Sequence, residues 1–145
     1  MKVSQRRVLI TGGSSGIGLA LAQKFLDQNN TVIVTGRDAT KLEKIKSSHP
    51  QIHTFQSDVS VDEEVKVLAR TIQEKFGGID MLINNAGIMN LIDAGNERND
   101  LNKQMQEIEI NYNSPIRVLH YFLPQLKESK NAVLVNVSSG LAYVP

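Results

Sequence analysis

The chain has 145 residues, of which 41% are hydrophobic and 21% are charged, and its formal net charge is +1 at neutral pH. This composition is typical of one globular domain over residues 1–145, and the small net charge favours neither a nucleic acid nor a membrane surface as a partner. The lack of cysteine excludes disulfides and thiolate metal sites, and together with the lack of a secretory signal or a membrane-spanning run it predicts a cytoplasmic protein.

Short apolar runs alternate with longer amphipathic segments through the first half of the chain. The predicted elements there are, in order, a strand at 8–10, a helix at 17–29, a strand at 31–35, a helix capped by Asp38, and a strand at 52–55. The second strand is β-branched throughout, and the second helix has Leu42 and Ile45 on one face. The pattern predicts strands that alternate with helices.

The second half of the chain continues this alternation. A capping-box spacing at 60–63 predicts the start of a third helix, which Gly77 and Gly78 end. The apolar stripe of that helix consists of Val61, Val65, Leu68, Ile72 and Phe76. After it the sequence predicts a strand at 80–84, a polar loop at 94–100, a long helix and a strand at 132–137. The long helix carries Met105, Ile108, Tyr112, Leu119, Phe122 and Leu126 near helical spacing.

Strands that are apolar on both faces and separated by helices predict a parallel sheet covered on both sides. Because such crossovers are right-handed, the expected fold class is α/β, a Rossmann-type doubly wound parallel sheet truncated after its fifth strand. An apolar strand with a bare edge invites pairing with another chain. We therefore expect association through residues 132–137.

A glycine-rich run, Thr11–Gly18, separates the first strand from the first helix. Glycines let the backbone turn tightly and approach a ligand, and a helix N-terminus presents unpaired N–H groups with partial positive charge. At this point of an open α/β sheet the pattern predicts a site for the phosphates of a dinucleotide. A glycine-rich turn without a ligand is the alternative.

Separated motifs extend over most of the chain, namely Thr11–Gly18, Asp58-Val59, Asn84–Gly87, Asn111 and Asn136–Ser139. In this order they resemble the motifs of the short-chain dehydrogenase/reductase family. Ile88 and the stretch 138–145 are most similar to the bacterial DltE-like members of that family. The resemblance implies a nicotinamide cofactor bound by Gly12, Ser14, Ser15, Gly16, Ile17, Gly18, Arg37, Asp58, Val59, Asn85, Ala86 and Gly87.

The end of the second predicted strand bears on which nicotinamide cofactor is bound. An acidic residue that would grip a ribose 2′-hydroxyl is missing, and the sequence there is Thr35-Gly36-Arg37. Gly36 stands where a carboxylate would repel a 2′-phosphate, and Arg37 offers a charged, planar set of donors. We expect NADP in preference to NAD. The alternative is that Arg37 is a solvated residue at the start of a surface helix.

The resemblance implies two catalytic residues within the chain. Ser139, just past the fifth strand, matches the serine that polarises the substrate carbonyl, and Asn111 matches the asparagine that orders a water in a proton relay. Pro115 cannot donate to the carbonyl of Asn111, so a helix kink there would free that carbonyl for a water. The alternatives are that Ser138 and Ser139 only cap a turn, and that Pro115 only bends a surface helix.

The Tyr-x-x-x-Lys pair that the family uses for proton transfer has no counterpart in these 145 residues. Neither Tyr112 nor Tyr121 is followed four positions later by a lysine, and Tyr143 lies too close to Ser139. The sequence is therefore expected to be the first half or more of a reductase, and to be inactive by itself.

The resemblance implies that the intact polypeptide interconverts a small-molecule carbonyl and an alcohol by hydride transfer with NADP. It also implies a homo-oligomer, since the long helix of the family often packs against a partner subunit. A non-catalytic NADP-binding module is the alternative function. A methyltransferase on a related sheet is a third possibility, but it has no reason to carry Asn84–Gly87, Asn111 and Ser139 together.

Two further patterns are not assigned a function. His49 and His53 have a spacing that suits a metal on a helix, but Pro50 lies between them, so no metal site is expected. The segment Lys41–Lys46 is interpreted as a solvated, charged helix face.

Overall fold

Five parallel strands form one sheet in the computed structural model, which describes residues 4–90 and 100–140. The strands are β1 Arg7–Thr11, β2 Thr31–Gly36, β3 His53–Gln56, β4 Met81–Asn84 and β5 Val133–Asn136. Their order is β3-β2-β1-β4-β5, so β1 is central and its Val8 pairs with Val32 of β2 and Met81 of β4. The strand order reverses between β1 and β4, which opens a crevice at the carboxyl ends of these strands.

Helices cover both faces of the sheet. They are α1 Gly16–Asp27, α2 Ala39–Ser48, α3 Asp62–Phe76, α4 Leu101–Ile108 and α5 Ser114–Glu128, and a π-helical turn at Glu109–Asn113 (the π segment) joins α4 to α5. Val8 and Ile10 pack in a core with α1 and α2, whereas Leu9 packs in a second core with α3 and α5. Alternate side chains of one strand thus enter opposite cores. The predicted doubly wound α/β sheet is confirmed.

Local signals in the sequence set most of the element boundaries. The strands and the first three helices are found where the pattern predicts them, with ends that differ by one or two residues. The Asp38 side chain caps α2 by accepting a 3.0 Å hydrogen bond from the backbone N–H of Lys41. Gly77 ends α3 in the left-handed conformation, with a φ of 71°.

The predicted capping box at the start of α3 is wrong. The helix begins at Asp62, and its N-cap residue, Val61, forms no capping hydrogen bond and is 42% exposed. Ser60 bonds to Asp58 instead, because both its backbone N–H and its hydroxyl donate to Asp58 Oδ1, at 2.9 and 2.6 Å. The residue that reaches back is Glu64, whose Oε2 accepts from the backbone N–H of Asp58 at 2.7 Å. The turn before α3 is therefore an Asx-type turn.

The predicted long helix is interrupted. Instead of a simple kink at Pro115, the backbone widens over the π segment, and the N–H of Ser114 bonds to the carbonyl of Glu109, five residues back. The π-helical turn ends before Pro115, which lies in the first turn of α5. The missing N–H of a proline destabilises a helix little at that position. The apolar stripe is buried only in α5: Met105, Ile108 and Tyr112 are more than half exposed. Of the predicted loop at 94–100, residues 94–99 lie outside the described residues.

The fifth strand lies at an edge of the sheet. Among the described residues β5 pairs with β4 alone, and Leu134, Val135 and Val137 are each about 40% exposed. Within residues 4–90 and 100–140 we find no helix with the length and apolar character needed to cross a bilayer.

Candidate functional site

A cleft with a volume of about 440 Å³ lies at the carboxyl ends of β1, β2, β3 and β4. Its walls come from the glycine-rich loop, the turns after β2 and β3, and the segment after β4. The lining residues are Gly12, Ser14, Ser15, Ile17, Thr35, Gly36, Arg37, Asp38, Lys41, Ser57, Asp58, Val59, Asn85, Ala86, Gly87, Ile88 and Ile110. This is the position at which open α/β sheets bind ligands.

The glycine-rich loop is packed too tightly for side chains at three of its glycines, of which Gly12 and Gly18 bear on its contacts with β4 and α1. Gly12 has a φ of +67°, and a Cβ built on it would lie 2.8 Å from the Cα of Ala86. A Cβ on Gly18 would lie 2.4 Å from the carbonyl oxygen of Gly12. Both glycines therefore allow the loop to press against the end of β4 and against the first turn of α1.

Thr11 and Asn85 tie this loop to the end of β4. The hydroxyl oxygen of Thr11 accepts hydrogen bonds from the backbone N–H groups of Asn85 and Ala86, each at 3.1 Å. In return, Asn85 Nδ2 donates to the carbonyls of Thr11 and Gly12, at 3.0 and 3.2 Å. The side chain of Asn85 is thus used to fix the floor of the cleft.

The cleft offers polar groups that fit a dinucleotide. Ser15, the N-cap residue of α1, makes no side-chain capping bond, so the first N–H groups of the helix keep their partial positive charge for an anion. Two lining hydroxyls, Thr35 Oγ1 and Ser57 Oγ, are buried and have no hydrogen-bond partner in the described part of the chain. Diphosphate and nucleoside groups would supply acceptors and donors for such atoms.

Two cations and two carboxylates line the end of the cleft near β2. Arg37 Nη1 lies 3.9 Å from Asp58 Oδ2, and Lys41 Nζ lies 4.0 Å from Asp38 Oδ2. Both cationic side chains are more than half exposed. Asp38 is already engaged as the cap of α2. Lys41 thus lines the cleft and is also exposed, as expected for a residue of the solvated, charged helix face.

The structure brings most of the predicted cofactor residues together. All of them line the cleft except Gly16 and Gly18, which lie at the start of α1. Lys41, Ser57 and Ile110 are among the lining residues that were not predicted to bind the cofactor. For Lys41 a signal existed, since it lies in the first turn of the helix that Asp38 caps, four positions after Arg37.

The two predicted catalytic residues lie apart from this lining. Asn111, in the π segment, bonds twice to the main chain of Ile88: Oδ1 accepts from the N–H at 2.9 Å and Nδ2 donates to the carbonyl at 2.8 Å. Ile88 lines the cleft, so Asn111 contacts a residue of the cleft wall without lining the cleft itself. Ser139 lies exposed beyond the end of β5. The last residues of the stretch 138–145, Tyr143 among them, lie outside the described residues.

Tyr121, His49 and His53 have structural contacts. The hydroxyl of Tyr121 donates to Asp62 Oδ2 at 2.6 Å, and this bond to a carboxylate raises the pKa of Tyr121. His49 hydrogen-bonds with Gln23 and Ser48, and His53 packs edge-on against the ring of Phe76. In the portion of the chain that the structure describes, no three His, Asp or Glu side chains form a group suited to a metal ion.

Comparisons with known proteins agree with this geometry. Residues 6–145 match the family model described as short chain dehydrogenase. The chain is 39% identical over its whole length to the uncharacterized oxidoreductase DltE of Bacillus subtilis, of which it covers 58%. It is 34% identical, over 95% of its length, to serine 3-dehydrogenase of Rhizobium radiobacter, of which it covers 55%.

A solved structure shows the same similarity in three dimensions. A short-chain dehydrogenase from Streptomyces avermitilis superposes with a TM-score of 0.84 at 30% identity, over 94% of this chain and 50% of that protein. The chain thus spans between half and three fifths of the length of these relatives. The expected similarity to DltE is confirmed.

Proposed function

Because the chain belongs to the short-chain dehydrogenase family, a family of oxidoreductases, we propose that it forms the cofactor-binding part of an enzyme that uses NADP to interconvert a carbonyl and an alcohol. One observation carries the proposal: the cleft joins the glycine-rich loop, the start of α1 and the turns after β2 and β3 into one continuous surface. That surface has the extent and the polar groups that a dinucleotide requires.

The preference for NADP is supported by the charges near β2. Gly36 contributes no carboxylate to the cleft, and a Cβ there would lie 2.9 Å from Ser14 Oγ, so a larger side chain would crowd the phosphate loop. Arg37 and Lys41 both line this end and are held only by long contacts of 3.9 and 4.0 Å. Either cation is free enough to turn toward a 2′-phosphate.

The chemistry that we propose divides between the cofactor and this chain. Bound nicotinamide exchanges a hydride with the carbonyl carbon of a small substrate. On the protein side, we propose that Ser139 donates a hydrogen bond to the substrate oxygen and that Asn111 orders a water for the proton relay. The widened backbone of the π segment is the feature that supports this role of Asn111, since such bulges frequently mark functional sites.

The 145 residues contain no tyrosine followed four positions later by a lysine. We therefore propose that they do not turn over a substrate by themselves, and a non-catalytic NADP-binding module is the second candidate function. For the intact protein we propose a cytoplasmic location and a homo-oligomer. The exposed apolar residues Met105, Ile108 and Tyr112 beside α5 support the homo-oligomer.

A titration of the purified chain with NADPH, followed by nicotinamide fluorescence, tests the proposed site. We expect saturable binding of NADPH that is tighter than the binding of NADH, and no NADPH oxidation when a panel of aldehydes and ketones is added. No saturable binding of either nucleotide would refute the cofactor site. Carbonyl-dependent oxidation by these residues alone would refute the proposed inactivity and the binding-module alternative.

A further inference from the structure

Arg117, on α5, donates a hydrogen bond to the main chain of a cleft residue. Its Nη1 lies 3.0 Å from the carbonyl oxygen of Val59, in the turn between β3 and α3. The Arg117 side chain is only 20% exposed, so this contact is largely shielded from water. Val59 lines the cleft and is 6% exposed. A buried carbonyl needs a hydrogen-bond donor, and for Val59 that donor comes from another element of the fold.

The turn that contains Val59 is otherwise fixed from within by Asp58. Asp58 Oδ1 accepts from the N–H and the hydroxyl of Ser60, and the Asp58 carbonyl accepts from the N–H of Val61. These contacts shape the turn, and Glu64 of α3 joins it to the helix that follows by accepting from the N–H of Asp58 at 2.7 Å. None of these bonds reaches α5. Arg117 supplies the anchor to α5, which packs in the core beneath this turn through Val118.

The same guanidinium group also contacts the π segment. Arg117 Nη2 lies 2.7 Å from Glu109 Oε1, and the second oxygen of Glu109 accepts from Asn113 Nδ2 at 2.7 Å. Both partners lower the pKa of the Glu109 carboxyl, the amide of Asn113 more than Arg117. In addition, Arg117 Nε lies 3.6 Å from Asp62 Oδ1, at the start of α3. The planar guanidinium group, with its several N–H groups, thus makes one hydrogen bond and two ion-pair contacts at once.

The π segment in turn holds the opposite wall of the cleft, since Asn111 bonds to the main chain of Ile88. We infer that Arg117 is a positioning residue: it sets the place of the turn at Asp58-Val59, which we propose contacts the adenosine half of the cofactor, and it joins that turn to the π segment. This inference rests on the proposed cofactor site. It assigns a role in nucleotide binding to a side chain that does not itself line the cleft.

The test uses two ligands that report on different parts of the cleft. The first is 2′,5′-ADP, which carries the adenosine half of NADP, and the second is inorganic pyrophosphate, which probes the glycine-rich loop. Replacing the arginine, Arg117→Met, should weaken 2′,5′-ADP roughly tenfold, since a charge-assisted bond is lost. The affinity for pyrophosphate should change by less than about twofold, because the loop does not contact Arg117. Arg70→Met, on the exposed face of α3, is the matched control and should leave both affinities unchanged.

Amide hydrogen exchange distinguishes positioning from general destabilisation. Arg117→Met should speed exchange at residues 59–61 and leave the amides of Leu68 and Ile72 protected. Arg117→Lys keeps the charge but offers fewer simultaneous contacts, so its affinity for 2′,5′-ADP should lie between those of the wild type and Arg117→Met. This variant provides the test if Arg117→Met does not fold.

Equal losses of affinity for both ligands, or faster amide exchange throughout α3, would show that Arg117 has only a general structural role and would overturn the inference. Unchanged binding of 2′,5′-ADP to Arg117→Met would overturn it as well, while the cofactor site itself would stand. If the wild-type chain binds no 2′,5′-ADP, the proposed cofactor site fails and this inference fails with it.

Discussion

The side-chain amide of Asn111 pairs with the main chain of Ile88 as a neighbouring strand would, with one bond accepted at 2.9 Å and one donated at 2.8 Å. The segment after β4 leaves the sheet at this point, and within the described residues these bonds connect it to the π segment. The Asn111 side chain therefore helps to orient Ile88 in the cleft, while Asn90 ties the same segment to Glu107 and Lys103 of α4.

Replacing that side chain, Asn111→Ala, should lower the free energy of unfolding by about 1 kcal/mol, because two solvent-exposed hydrogen bonds are lost. Urea denaturation measures this change. Asn102→Ala, on exposed α4, is the matched control and should have little effect, since alanine is a good helix former. Equal stability of Asn111→Ala and the wild type would show that the Ile88 contact adds nothing to stability.

The cofactor preference should depend on Arg37. Arg37→Ala is expected to weaken NADPH binding by about 10- to 100-fold through loss of a charge-assisted contact, and to change NADH binding little. Fluorescence titration of both nucleotides gives the ratio of the NADPH and NADH affinities. Lys46→Ala, a matched loss of one positive charge on α2 outside the cleft, controls for the change in net charge. An unchanged ratio in Arg37→Ala would refute the role assigned to this residue.

The packing of Gly12 should be essential for the cleft. Gly12→Ala places a Cβ 2.8 Å from the Cα of Ala86 and forces a side chain onto a backbone with positive φ. We expect a loss of more than about 1 kcal/mol in stability, together with loss of NADPH binding. Thermal unfolding and fluorescence report the two effects. Gly140→Ala, where no heavy atom lies within 4 Å of an added Cβ, should be silent in both assays.

Stability at low pH should depend on Asp80. Arg7 donates from its side chain and its backbone to Asp80, and these bonds, joined by one from Ser129, hold the pKa of the Asp80 carboxyl well below its usual range. Because the folded-state pKa is depressed, the stabilisation is present above the unfolded-state value near pH 3.8 and is lost as the pH falls further.

Urea midpoints measured between neutral pH and acid should therefore fall more steeply for the wild type than for Asp80→Asn. The variant should already be less stable at neutral pH, by about 1–3 kcal/mol, because an ion pair with several hydrogen bonds is broken. Asp27→Asn, at the exposed end of α1, serves as the control. Parallel pH profiles for Asp80→Asn and the wild type would contradict this account.

The exposed edge of β5 should promote association. Val135 is 37% exposed on a strand that pairs with β4 alone among the described residues, and apolar strands with a bare edge pair with other chains. Sedimentation velocity should show self-association of the wild-type chain that Val135→Lys reduces. Lys130→Gln, outside the strand, is the comparison variant. A wild-type chain that stays monomeric at high concentration would contradict the prediction.

The features that could be predicted from the sequence are those that local signals specify. Short apolar runs between amphipathic segments predicted the strands, and the glycines of Thr11–Gly18 located the turn that approaches the end of β4. Asp38 and Gly77 marked helix ends because their effects are confined to one turn.

The remaining features depend on distances between elements that the sequence does not encode locally. Lys41 lines the cleft only because α2 starts beside the end of β2, and the hydroxyl of Ser57 lies there because β3 pairs next to β2. The widening of the helix before Pro115 was missed because a proline alone does not distinguish a kink from a π-helical turn. The contact of Arg117 with the cleft could not be predicted from the sequence, since its acceptor is a main-chain carbonyl 58 residues away.

The pairing of β1 also has a kinetic consequence. Val8 pairs with Val32, but on its other side it pairs with Met81, about three times as far along the chain. Closing the longer loop costs roughly 1 kcal/mol more conformational entropy, so the first three strands should assemble before β4 adds to them. Since the bonds from Asn85 to Thr11 and Gly12 require β4, the nucleotide cleft should form in the later stage of folding, and a ligand present then would favour its completion.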